Sequence, residues 1–147
     1  MNVKKAFPPL LFLLSLSVFG QSAPGETPDP SALIGTTLAD LLGGYGAPNS
    51  VYPVRGLAPW QDDVVFVYDS AEFFIYGNRV WQLKLKAAYG IAEGQTQDQV
   101  VRILGQGEAL EGYSTFSLPS RVWPLTLRVN WDSSDRVSAI YIYRSDF

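Results

Sequence analysis

The sequence contains neither cysteine nor histidine, and those two absences remove more chemistry than any motif in the chain supplies. Disulfides, thiol nucleophiles, Cys or His zinc centres, c-type haem attachment and every His-dependent catalytic triad are excluded. Nucleophile motifs are missing too: there is no Gly-x-Ser-x-Gly, no Ser-x-x-Lys and no glycine loop ending in Gly-Lys-Ser/Thr. The apolar run from Leu10 to Gly20 offers roughly ten apolar residues, short of the about 20 that span a bilayer. Carboxylates cluster only at Asp62, Asp63, Asp69 and Glu72 and at Asp132 and Asp135. Nothing places the first group in a cleft at the about 5 to 9.5 Å that glycoside hydrolysis requires. The run Asp132-Ser133-Ser134-Asp135 lacks the spaced ligands and glycine of a calcium loop. The expectation is a non-enzymatic chain with no cofactor and no metal.

What is present describes an exported globular protein. The 147 residues are 47% hydrophobic and 17% charged, enough apolar material for a core and too much for disorder. Lys4 and Lys5 precede the apolar run, the pattern of a signal peptide over 1–20, with cleavage after Gly20 or near Ala23. No cysteine follows that run, so the mature chain is expected to be periplasmic or secreted, not lipid-anchored, and without a stable membrane anchor. Losing Lys4 and Lys5 moves the net charge from −3 to −5, which gives no electrostatic reason to bind nucleic acid or an anionic membrane. Residues 21–32, rich in Pro, Gly and Ser, read as a flexible linker.

Two related stretches organise the remainder. Gly94 to Gly107 reads as a short helix capped by Thr96, with Gln99 three residues on as a capping box, Val100, Ile103 and Leu104 as its apolar stripe, and Gly105 and Gly107 as its stop. A weaker copy lies 59 residues earlier: Gly35, Thr37, Leu41, Leu42, Tyr45 and Gly46 stand where Gly94, Thr96, Val100, Val101, Leu104 and Gly105 stand. In the copy, either Thr36 or Thr37 can cap, and Leu38, Leu41, Leu42 and Tyr45 form one helical face.

Strands are predicted near Val51–Val54, Val64–Tyr68, Glu72–Tyr76 and Val80–Lys86, then near Gly112–Ser117, Trp123–Trp131 and Arg136–Arg144. Residues 87–93 read as a linker. The pair Gly77-Asn78 predicts a two-residue hairpin that sets Tyr76 opposite Arg79, Ile75 opposite Val80 and Phe74 opposite Trp81. Alternation then puts Phe74, Tyr76, Trp81, Leu83 and Leu85 on one face, and Phe73, Ile75, Val80, Gln82 and Lys84 on the other. In the later hairpin, Leu125, Leu127, Val129, Ile140 and Ile142 share a face, opposite Thr126, Arg128, Asn130, Val137, Ala139, Tyr141 and Tyr143. The fold expected is α+β: two tandem helix-plus-antiparallel-meander units, 33–87 and 88–147, with the helices packed on one face of the sheet or sheets.

The pattern Gly-x-Thr-x-x-x-Val-x-x-x-Leu-Gly-x-Gly, followed by the Asp-x-Val-x-x-Ile arm from Asp135 to Ile140, resembles the SmpA/OmlA family of BamE-like domains. A tandem of such units is similar to the fold of the β-lactamase inhibitory proteins (BLIP-like). The sequence departs from both, since the first are typically lipid-anchored through a cysteine and the second carry disulfides. The resemblance implies a protein-binding module, either an envelope-assembly accessory or an inhibitor of an extracytoplasmic enzyme, whose partner is another envelope or extracellular protein.

Tyr and Arg supply contact area with a polar end and anchor many interfaces. The candidate partner-binding residues are therefore Tyr141, Tyr143, Arg128, Thr126, Asn130, Phe73, Ile75 and Lys84 on the outer sheet face, with Trp60 and Trp123 beside it in loops or strand ends. The same aromatics suit an alternative, a small-ligand or cell-wall-glycan binding module that uses Trp as a stacking platform.

Overall fold

Two threonines begin the two helices, as their sequence neighbours require. The computed structural model describes residues 29–55 and 63–146. A short 3-10 turn over Pro30–Leu33 leads into α1 (Leu38–Tyr45). Thr37 caps that helix by accepting the backbone N–H of Asp40 at 3.2 Å. Before α2 (Gln97–Leu104), the Gln99 N–H donates to Thr96 Oγ1 at 3.4 Å and the Thr96 N–H donates to Gln99 Oε1 at 2.8 Å, a complete capping box. Each helix stops at a glycine in the left-handed region, Gly46 (φ 74) and Gly105 (φ 81), where a side chain would be strained.

Eight of the ten described strands form one antiparallel sheet. They are β1 (Ser50–Val54), β2 (Asp63–Val67), β3 (Ala71–Tyr76), β4 (Arg79–Leu85), β7 (Glu108–Leu110), β8 (Tyr113–Leu118), β9 (Leu125–Trp131) and β10 (Val137–Arg144). Across the sheet their order is β1-β2-β3-β4-β10-β9-β8-β7. The remaining pair, β5 (Ala87–Ala88) and β6 (Ile91–Ala92), makes a small hairpin on the way to α2. Its turn residues Tyr89 and Gly90 both take positive φ, the twist that a tight hairpin favours.

The core lies between one face of this sheet and the helices. Leu41 of α1 and Val100 of α2 are buried among Phe73, Val80, Leu83, Leu127, Val129, Ile140 and Ile142. Fully burying a side chain such as Ile142 stabilises the fold by about 1.5–3 kcal/mol. The helices contribute less than their sequence stripes suggest. With only two turns each, they leave Leu42 (38% exposed), Tyr45 (45%) and Ile103 (46%) largely outside. Tyr45 still anchors α1, its ring lying 5.1 Å from Phe73 and 5.5 Å from Tyr68.

The expected α+β arrangement of two helix-plus-meander units is corrected. Strands dominate, and β4 pairs directly with β10, setting Leu83 opposite Ile142 and Lys84 opposite Tyr141. One continuous sheet results, with two eight-residue helices among the described residues. The repeat survives in the matching threonine caps and glycine stops of the two helices and in a pair of matching joints. Arg79 donates from Nη1 to Gly35 O at 2.7 Å, and Arg136 donates from Nη1 to Gly94 O at 2.9 Å. Beside them, the Gly35 N–H donates to Val80 O and the Gly94 N–H to Val137 O, both at 2.8 Å.

Two bulges also correct the expected faces. Tyr76 pairs with Arg79 and Ile75 with Val80 as the turn requires, but Phe74 pairs with Gln82, leaving Trp81 extra. A one-residue slip exchanges the faces beyond it. Leu83 and Leu85 therefore join Phe73, Ile75 and Val80 in the core, while Phe74 shares the outer face with Gln82 and Lys84. In β10 the register shifts at Ser138, which turns Val137 inward to 2% exposure.

Candidate functional site

No helix of the described residues covers the second face of the sheet, since Leu41 and Val100 both belong to the cluster on the first. Three cross-strand rows can be followed over this outer face. The longest crosses all eight strands, Ser50–Val67–Glu72–Lys84–Tyr141–Arg128–Thr115–Glu108. On one side of it runs Tyr52–Val65–Phe74–Gln82–Tyr143–Thr126–Ser117. On the other, Ala139, Asn130 and Tyr113 stand in line.

This face has a buried floor and a polar rim. Val65 (0% exposed) and Phe74 (9%) are buried, although they lie outside the main core cluster. Around them Glu72 accepts from Tyr52 Oη and from Lys84 Nζ, each at 2.6 Å. The hydrogen bond to Glu72, aided by burial, pushes the Tyr52 phenol up to about 12. Burial works to raise the Glu72 pKa, but the bonds from Lys84 and Tyr52 outweigh it and hold the carboxyl below its ordinary value. The bond to Glu72 raises Lys84 in turn. These charges satisfy one another.

Arg128 is different. Its Nε donates to Asn130 Oδ1 at 2.7 Å, and its guanidinium carbon lies 4.2 Å from the Tyr113 ring centroid and 5.8 Å from that of Tyr141. Neither ion pair found among the described residues involves it. With Phe74, Gln82 and Tyr141 it lines a cavity of about 230 Å³.

Of the residues expected from sequence, the structure gathers Tyr141, Tyr143, Arg128, Thr126, Asn130 and Lys84 on this face, all partly exposed. Phe73 (0% exposed) and Ile75 (7%) are corrected to the core beneath the helices, for the Trp81 bulge reverses their relation to Gln82 and Lys84. Trp123 packs against the core, with the Arg144 guanidinium 3.8 Å from its ring centroid and its Nε1 3.0 Å from the point where a Gly35 side chain would begin. Trp60 lies outside the described residues. Sequence reasoning missed Glu72, Tyr52, Phe74, Gln82 and Tyr113. One signal was present: without a bulge Glu72 would face Leu83, whereas one extra residue sets Glu72 against Lys84 and Phe73 against Leu83, both better pairs.

A second depression, about 690 Å³, lies between Asp29–Pro30 and residues 87–92. Tyr89 donates to Asp29 Oδ1 there at 2.7 Å. Burial and that bond push its phenol up to about 12. Among the described residues, no helix is long and apolar enough to cross a membrane.

No protein-family model matches this sequence, and no curated protein matches it. Among solved structures the chain is similar to an extracellular protein containing an SCP domain from Bacillus anthracis str. Ames. That likeness has a TM-score of 0.51 at 10% identity, over 86% of this chain and 49% of the other. A cysteine-rich secretory protein from Staphylococcus aureus subsp. aureus Mu50 superposes with a TM-score of 0.48 at 12% identity, over 78% of this chain and 46% of that one. The chain therefore spans about half the length of either, and what it shares with the first is a fold. The SmpA/OmlA (BamE-like) and BLIP-like relationship is corrected by these findings. Its motif consists of a helix cap and a few core positions, which any short capped helix packed on an antiparallel sheet presents.

Proposed function

We propose that this chain is an exported, non-enzymatic module that binds another envelope or extracellular protein through the outer face of its sheet. The observation that carries the reading is the line Lys84–Tyr141–Arg128, flanked by Tyr143 and Tyr113, on a face that no helix of the described residues covers. Partly exposed Tyr and Arg on a rigid sheet supply contact area with little side-chain ordering left to lose. Export is supported by the charged and then apolar start of the sequence and by the extracellular nature of the Bacillus anthracis protein. The further roles of assembly accessory or enzyme inhibitor rested on the family resemblance and lose that support with it. The glycan alternative is weakened where it relied on Trp123, whose ring is already occupied by Arg144.

Chemical cross-linking of the full chain in its own envelope, followed by pull-down, tests the reading. Replacing Tyr141 and Tyr143 together by Ala should remove the cross-linked species while leaving the thermal melt nearly unchanged. Capture of the same species by the doubly substituted chain would sink the proposal.

A further inference from the structure

We infer that the cavity between Phe74, Gln82, Arg128 and Tyr141 is a receptor for one carboxylate, supplied by an Asp or Glu side chain of the bound protein. The inference rests on the protein-binding reading above and names the chemistry of the partner's anchor.

Charge decides the class of ligand. Lys84 is neutralised by Glu72 at 2.6 Å, so among the described residues the middle of the outer face keeps a single uncompensated cation, Arg128. One positive charge matches one carboxylate, whereas a phosphate dianion usually meets several donors or cations. Geometry decides the mode. The Asn130 bond engages Nε, and the guanidinium lies over the Tyr113 ring and near that of Tyr141, so the group is held before any ligand arrives. Its Nη groups have no partner among the described residues and offer the paired donors that a carboxylate accepts in bidentate fashion. Phe74 at 9% exposure closes the floor, and Gln82 adds an amide that can donate to a carboxylate oxygen. The depression, about 230 Å³, has room for a carboxymethyl or carboxyethyl group.

The test is a titration of the full chain, isotope-labelled, with N-acetyl-glutamate methylamide, read at the Arg128 Nε–H and the Gln82 and Tyr141 amides. N-acetyl-glutamine methylamide and inorganic phosphate serve as comparison probes. Saturable shifts confined to those signals are expected with the glutamate probe, absent with the glutamine probe and weakened by salt. Arg128→Gln should abolish them, and Arg128→Lys, which keeps the charge and loses the fork, should weaken binding by about tenfold. The amide spectrum of each variant reports whether it is folded, and Gln82→Ala provides a further variant that leaves Arg128 in place and should weaken the shifts. Equal shifts from glutamate and glutamine probes, a response retained in Arg128→Gln, or phosphate binding as tightly as the glutamate probe would each overturn the inference. Probe binding without any cross-linked species would leave the carboxylate receptor standing and remove the protein-binding reading. Cross-linking lost in the Tyr141/Tyr143 variant, with no response to the glutamate probe, would do the reverse.

Discussion

Arg128 lies across the face of Tyr113, its guanidinium carbon 4.2 Å from the ring centroid, while its Nε is held by Asn130. A cation over a ring at a partly exposed site contributes about 0.5–1 kcal/mol. Tyr113→Leu, which keeps bulk and removes the ring, should therefore lower the unfolding free energy by about that amount in urea denaturation. An unchanged midpoint and slope would show the contact to be energetically silent.

The Tyr52–Glu72–Lys84 group predicts how stability follows acid. The folded Glu72 carboxyl titrates below its ordinary 4.5. Its contribution is thus present above that value and is lost as pH falls through the lower folded one. Both partners are partly exposed, at 33% and 22%, so the effect should be about 0.5–1 kcal/mol. Denaturation curves at pH 7 and pH 3 should converge for Glu72→Gln relative to the parent chain. A gap between them that is the same at both pH values would contradict the assignment.

The matching joints at Arg79–Gly35 and Arg136–Gly94 tie each helix entrance to a strand. Arg136→Met should lose a charge-assisted bond to Gly94 O, a cost of about 1 kcal/mol at this exposed position. Hydrogen exchange should show the loss first at the amides opening α2, with α1 protected as before. Faster exchange throughout the molecule would mean that the joint is not local.

Gly107 is held by crowding rather than by backbone angle. A Cβ there would lie 2.7 Å from the Phe116 ring and 2.8 Å from Thr115 O. Gly107→Ala should cost about 1–3 kcal/mol through overpacking, whereas Gly43→Ala, with nothing within 4 Å in the helix, should be neutral or stabilise by up to about 1 kcal/mol. Thermal melts of the two variants moving in the same direction would contradict this.

Local features were legible in the sequence, and distant ones were not. The Thr96-x-x-Gln99 box, the Gly46 and Gly105 stops and the Gly77-Asn78 turn each depend on a few adjacent residues, and all appear where their chemistry puts them. The alternation in β9 likewise put Thr126, Arg128 and Asn130 opposite Leu125, Leu127 and Val129. The two bulges escaped because strict alternation has no place for an extra residue. Only the better partnering of Glu72 with Lys84 hinted at the first. The short strands β5, β6 and β7 have two or three residues each, too few for a period to show. The β4–β10 seam joins residues nearly sixty positions apart, and nothing local records it. For that reason two units were expected where one sheet exists.

That seam governs when the molecule can become itself. β10 is the last described strand in the chain, yet it sits in the interior of the sheet between β4 and β9. The buried face is continuous across the seam only through β10, where Ile140 and Ile142 stand between Leu85 and Leu83 on one side and Val129 and Leu127 on the other. Long-range closure of this kind slows folding.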